Sequence, residues 1–129
     1  MSVYGADAAT SNGTLVDQGA VANTYGAWTE IASASSVIHN GMTVVFGTNK
    51  QVTGVGDQFV NFQVAIGAEG FEDVIAEFAS GCNASVNRMS INSFEVFAQI
   101  PEGTRISMRS KSNLVAASSR QFTSIILGY

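Results

Sequence analysis

The 129-residue chain has one Cys, one Pro, one His and one Trp, and only 12% of its residues are charged. Each scarcity excludes something. A lone Cys82 cannot form an intramolecular disulfide, so stability has to come from packing or assembly. One His and one Cys, far apart in sequence, do not make a zinc ligand set. Six Lys+Arg against ten Asp+Glu leave a net charge of −4, the wrong sign for a protein that binds nucleic acid by neutralising phosphates. No apolar run approaches the ~18 residues of a membrane-spanning helix. The N-terminus has no basic segment leading into an apolar stretch, so it reads as cytoplasmically made rather than secreted. Asn12-Gly13-Thr14 and Asn83-Ala84-Ser85 therefore read as turns rather than glycosylation sites.

What is present is apolar and small. Hydrophobic residues make up 46% of the chain, which excludes intrinsic disorder. The charged share is about half the roughly one quarter usual for globular proteins, and Ser, Thr, Asn, Gly and Ala fill the gap. One core and one domain follow from the length.

Residues 1–24 hold only scattered large apolar side chains, broken by Gly5, Asn12-Gly13 and Gly19. They read as an extended N-terminal arm with at most one short strand, poorly packed in an isolated monomer. Tyr4, Leu15 and Val16 are its candidate contacts with a neighbouring subunit. Residues 25–129 read as a strand-rich domain. Trp28, Glu30 and Ala32 alternate with Thr29, Ile31 and Ser33. Asn40-Gly41 is a turn signal before the strand Met42 to Phe46. Val60, Phe62, Val64 and Ile66 alternate with Asn61 and Gln63, the clearest period-2 pattern in the chain. Lys50 to Asp57 is a flexible loop.

Phe71, Val74, Ile75 and Phe78 fit helical spacing, yet the same residues fit a strand from Glu72 to Ala79; the short interval between Gly70 and Gly81 favours the strand. Met89 to Ile100 forms one long strand or two short ones, with Phe94, Val96 and Ala98 on one face. Pro101-Glu102-Gly103 is a turn in which Pro sets φ and Gly frees the backbone. Ile106 and Met108 then face away from Arg105, Ser107 and Arg109. In the last strand Phe122, Ser124, Ile126 and Gly128 alternate with Thr123, Ile125 and Leu127. Its second half is apolar on both faces, which places it centrally or at a subunit interface. Seven or eight closely spaced strands with little helix indicate an all-β, antiparallel β-sandwich of jelly-roll type.

No catalytic constellation stands out. His39, beside Asn40-Gly41, reads as a solvated turn residue, and no G-x-S-x-G nucleophile elbow occurs. Four of the ten acidic residues lie together at Glu69, Glu72, Asp73 and Glu77. Paired carboxylates could serve a glycosidase, but on a strand Glu72 and Glu77 point to opposite faces. A solvated face or an interface is the better reading. Calcium is unsupported without an acidic loop of alternating oxygen ligands. Arg105 and Arg109 project to one side of a strand, either as an exposed stripe or as partners of the acidic 69–77 segment, within or between subunits. The Gly-rich stretches lack the Lys-Ser/Thr of a phosphate-binding loop. No catalytic, cofactor-binding or metal-binding residue is expected.

Three segments do form a recognisable pattern. Gly26-Ala-Trp28-Thr-Glu-Ile31-Ala-Ser is followed by Phe62-Gln-Val-Ala-Ile66-Gly-Ala-Glu-Gly70-Phe-Glu72-Asp-Val-Ile75. Then come Gln99-Ile100-Pro101-Glu-Gly103-Thr104-Arg105-Ile106-Ser-Met-Arg109-Ser and a closing apolar strand. Over about residues 26–128 the chain resembles small virion proteins of tailed bacteriophages, most specifically in the run from Ile100 to Arg109. The resemblance implies a non-enzymatic β-sandwich on a capsid or tail, with Pro101, Gly103, Arg105 and Arg109 in architectural roles. The function expected from it is capsid decoration (cement) at the virion surface. The expected partners are the phage major capsid protein and further copies of the chain in a homotrimer; no nucleic acid, membrane or cofactor is expected. Trp28, Glu72, Glu77, Arg105 and Arg109 join the arm residues as candidate interface. The alternative is a tail-fibre or baseplate module binding host glycans, with Trp28 and Tyr25 as aromatic platforms, although Trp28 reads more readily as a core residue.

Overall fold

The computed structural model describes residues 1–6, 13–48, 56–82, 92–114 and 122–129. Among them are nine strands and no helix: β1 (Ser2–Tyr4), β2 (Thr14–Val16), β3 (Thr29–Ala32), β4 (Met42–Thr48), β5 (Gln58–Ile66), β6 (Asp73–Cys82), β7 (Asn92–Val96), β8 (Ile106–Ser112) and β9 (Phe122–Gly128). They form two antiparallel sheets. The first has the order β1-β9-β4-β7, with β2 also paired to β9; the second has the order β3-β8-β5-β6. The fold is all-β, a β-sandwich. The expected loop from Lys50 is described only at Gly56 and Asp57.

The core lies between the sheets, and period-2 alternation decides what enters it. Val60, Phe62 and Val64 of β5, Ile106 and Met108 of β8, Met42, Val44 and Phe46 of β4, and Phe122 and Ile126 of β9 are all buried. Aromatic rings bridge the layers. Phe62 meets Phe46 at 4.9 Å and Phe122 edge-on at 5.6 Å, and stacks on Phe78 at 5.2 Å. Such pairings add to the large apolar area each ring removes from water.

The segment with helical spacing is strand β6, in register with β5 from Asp73 opposite Ile66 to Cys82 opposite Gln58. Ala76 faces Val64 and Val74 faces Ala65, so Ile75 is an extra residue, a β-bulge. The bulge places two apolar residues side by side and imitates helical periodicity. It also resets the alternation, so Glu72 and Glu77 do not point to opposite faces as expected of a regular strand.

The N-terminal stretch is not a loosely packed arm where it is described. β1 and β2 both add to β9, Ser2 opposite Gly128 and Thr14 opposite Ser124. Val16 is 2% exposed and belongs to the core, not to a free interface. The stretch then crosses the edge of the second sheet, where Asn23 N–H donates to Ser112 O and Gly26 N–H to Ser110 O. Backbone pairing with β8 and β9 supplies the order that its sparse apolar side chains do not.

His39 is another correction. It is 2% exposed, not solvated, and pairs with Ile100 in an isolated bridge. Its ring packs over Gly128, where an added Cβ would lie 2.8 Å from three ring atoms. The Asn40-Gly41 turn that suggested exposure is tied to the chain's last residue: both amides donate to Tyr129 O.

The Pro101 turn closes as expected, but Gly103 does more of the work. Thr104 N–H donates to Pro101 O, and Gly103 takes the left-handed φ of +77°, which a residue with a Cβ adopts only at a cost. Buried Ser35 stitches this turn to the β3–β4 connection. Its N–H donates to Thr104 O, its carbonyl accepts from Gly103 N–H, and its Oγ bonds Pro101 O and accepts from Thr104 N–H.

Candidate functional site

The two sheets present very different outer faces. Along β9 the inward residues Phe122, Ser124 and Ile126 are buried, which sends Thr123, Ile125 and Leu127 outward. Register then aligns Val3, Leu127, Thr43 and Glu95 in one outer row. Ile125, Val45 and Ser93 form the next, and Leu15 sits opposite Thr123. Val3 and Leu15 are exposed, while Val45, Ile125 and Leu127 are half-buried. This face is apolar through its middle. Glu95, its charged residue among the described positions, lies at the β7 margin, where it accepts from Thr43 Oγ1 at 2.7 Å and the Tyr129 hydroxyl at 3.0 Å. The last strand is central in its sheet, and its second apolar face is open.

The outer face of the second sheet gathers the charged candidates. Arg105 holds two carboxylates: Nε donates to Glu30 Oε2 at 3.0 Å and Nη1 to Glu72 Oε1 at 3.1 Å. The second bond settles how Arg105 uses the acidic 69–77 segment: the pair lies within one chain. It joins two separately conspicuous stretches of sequence, the Gly67–Glu72 turn and the Pro101–Arg105 turn. The turns also meet through the backbone, where Gly67 N–H donates to Arg105 O. Desolvation works to raise the Glu72 pKa, but hydrogen bonds from its own and the Gly70 amide, and then Arg105, outweigh it and hold the carboxyl below its ordinary value.

Arg109 pairs differently. Its Nε donates to Gln63 Oε1 at 2.9 Å, and Gln63 Nε2 donates on to Glu77 Oε2 at 2.7 Å. That hydrogen bond from Gln63 is the main reason the Glu77 carboxyl sits below its usual range. The guanidinium carbon lies 4.3 Å from the Trp28 ring centre and 4.7 Å from that of Tyr25; Lys111 Nζ lies 4.7 Å from the Tyr25 ring centre. Trp28, Arg109, Tyr25 and Lys111 thus form a chain of cation–π contacts that fastens residues 25–28 across the sheet. Trp28 is half-exposed and not in the core. Burial, then the Glu77 charge, push the Tyr25 hydroxyl up. Between the Arg105 and Arg109 rows, Ser107 and Ala65 are a fully buried register pair, and Ser107 Oγ has no hydrogen-bond partner among the described residues.

Tyr4 anchors β1. Its hydroxyl bonds His39 Nε2 at 2.7 Å and Ser36 Oγ at 3.0 Å and accepts from Ser36 N–H at 2.9 Å. Burial pushes this phenol up, but the Ser36 hydrogen bonds win and leave it below its ordinary value.

The eight sequence candidates therefore separate by location. Leu15 lies on the apolar face, Val16 in the core and Tyr4 in the His39 cluster. Trp28, Glu72, Glu77, Arg105 and Arg109 come together on the polar face. Sequence reasoning missed Val3, Val45, Gln63, Ser35 and the burial of His39. Gln63 was visible as an outward residue of β5, but its partners lie on other strands. An open hollow of about 480 Å³ near Asp17, Val21, Tyr25 and Ala27 contains one carboxylate, and Asp17 Oδ1 accepts from Gly19 N–H. Among the described residues no three His, Cys, Asp or Glu side chains are placed to hold a metal ion, and no helix is long and apolar enough to cross a membrane. No protein-family model, curated protein or solved structure matches the chain.

Proposed function

We propose that the chain is a structural virion protein of a tailed bacteriophage, a capsid decoration (cement) protein that acts as a homo-oligomer, with a trimer as the expected form. The observation that carries this reading is the outer face of the β9 sheet. Val3, Leu15, Val45, Ile125 and Leu127 make a contiguous apolar surface with its charge at the margin. Contiguous apolar surface of this kind marks interaction sites, and each Å² it loses to a neighbour contributes roughly 25 cal/mol before the cost of association. Repetition over a shell multiplies weak contacts into firm attachment. On the opposite sheet, Arg105 and Arg109 find their partners within the chain, beside the exposed side chains of Phe59 and Val74.

Strand order adds support. With β1 and β2 counted as halves of one edge strand, eight positions remain in the orders 1-8-3-6 and 2-7-4-5. We read this as a jelly roll, an architecture used by capsid and lectin domains; the fold alone does not assign the function. The glycan-binding alternative gains nothing from the polar face, because Trp28 and Tyr25 already lie against Arg109. Co-sedimentation of purified protein with shells of the phage's major capsid protein tests the proposal. Saturable binding is expected, and its absence at micromolar protein would overturn the reading.

A further inference from the structure

We infer that β1 is an exchangeable strand: its seat on β9 can be taken by β1 of a second copy of this chain. Three observations point there. First, β1 and β2 share one edge of β9 end to end, with Tyr4 opposite Ile126 and Thr14 opposite Ser124. These attachment points are two residues apart on β9, about 7 Å by strand rise. Nine residues, 5–13, join them, a length able to reach about 30 Å when extended. The connection is therefore several times longer than its own chain requires.

Second, β2 reaches deeper into the core than β1. Val16 is in the core, whereas β1 offers the core only Tyr4, partly buried. Leaving therefore opens the β9 edge without emptying the centre. Third, the seat is specific. His39, Ser36 and the backbone of residues 126–128 accept a strand with a Tyr at its third position, and every copy carries this sequence. Another chain's β1 would reproduce the same register, phenol hydrogen bonds and edge-on contact with His39 at 5.6 Å.

The contacts are the same in both arrangements, so concentration decides between them. A tether of nine residues holds its own strand at an effective concentration on the order of millimolar. Exchange therefore stays rare in dilute solution and grows as copies are crowded together. Reciprocal exchange closes a dimer, and one-way exchange links copies in series. Exchange of β1 needs only copies of this chain and no virion.

Val3 and Leu127 face each other across β1 and β9, which provides the test. The full-length single variants Val3→Cys and Leu127→Cys are mixed in equal amounts, incubated from about 10 µM to about 1 mM, and oxidised. Peptide mass analysis then looks for a disulfide joining the two introduced thiols. Such a link forms when one chain's β1 sits on the other's β9; collision of two outer faces could also join the thiols, but its rate would not respond to loss of the Tyr4 hydroxyl. Its yield should rise with concentration, and adding Tyr4→Phe to the Val3→Cys chain should speed its formation about threefold to tenfold by removing the phenol hydrogen bonds. If the double variant Val3→Cys/Leu127→Cys closes on itself while the mixed single variants remain unlinked at every concentration, β1 does not exchange.

Discussion

Arg105 Nη1 and Glu72 Oε1, 33 residues apart in sequence, meet at 3.1 Å and tie the turn before β6 to the turn before β8. Both turns depend on glycines with left-handed backbone, Gly67 and Gly70 in one and Gly103 in the other. The ion pair therefore joins two turns whose backbone a residue with a Cβ would adopt only at a cost. It works as a clasp at one end of the second sheet, with Glu30 of β3 on the same guanidinium.

Acid should loosen this clasp. Glu72 and Glu77 both have carboxyl groups held below their ordinary pKa in the folded chain. A depressed folded-state pKa contributes stability that is present above the unfolded value and lost as pH falls through the folded one. Thermal melts should therefore show Tm falling as pH drops below about 4.5. The double variant Glu72→Gln/Glu77→Gln should flatten that decline. An equally steep acid dependence in the variant would place the responsible groups elsewhere.

Arg109 should be coupled to Trp28. Exposed cation–π contacts are worth about 0.5–1 kcal/mol, and more when desolvated. A double-mutant cycle of Arg109→Ala and Trp28→Leu should return a coupling on the order of 1 kcal/mol. Arg109→Ala alone should shift the emission of the chain's one Trp. Additive stabilities with unchanged fluorescence would contradict the contact.

Gly128 should not tolerate a methyl group. The space its Cβ would need is filled by the buried His39 ring, and overpacking typically costs about 1–3 kcal/mol. Gly128→Ala should destabilise by that amount in urea unfolding. The neighbouring change Leu127→Ala, on the outer face, should cost less.

Ser107 supplies the opposite sign. A buried hydroxyl without a partner costs about 1–3 kcal/mol relative to one that is satisfied. Ser107→Ala removes the hydroxyl and keeps the volume nearly constant, so stability should hold or rise. A clear loss would mean that Ser107 Oγ has a partner in solution.

The sandwich was legible wherever one strand revealed its own burial. The alternation Val60-Asn61-Phe62-Gln63-Val64 needs no partner to be read, and the two apolar faces of β9 placed it centrally or at a subunit interface; in the sheet it lies between β4 and the β1–β2 edge. What escaped depended on distant partners. β1 and β2 are three residues each, too short for a periodic signal, and their partner β9 lies at the other end of the chain. His39 is buried by Tyr4, Ile100 and Gly128, while its sequence neighbours Asn40 and Gly41 indicate only a turn. The bulge at Ile75 gave its segment helical spacing by placing one residue out of step, and the strand could be favoured there only from the short interval between Gly70 and Gly81. On the polar face, Arg105 with Glu72 was among the pairings the sequence allowed, but the link from Arg109 through Gln63 to Glu77 exists only once β8, β5 and β6 lie side by side.

The most direct measurement is binding to capsid shells by variants that charge one outer face at a time. Val45→Asp and Leu127→Asp each place one carboxylate in the middle of the β9 sheet's outer face; Lys111→Glu alters the opposite face by a charge change twice as large. With folding verified by thermal melts, the two Asp variants should lose at least about tenfold in shell affinity, and Lys111→Glu should bind as the unmodified chain does. Undiminished binding by both Asp variants would contradict the assignment of that face as the contact surface.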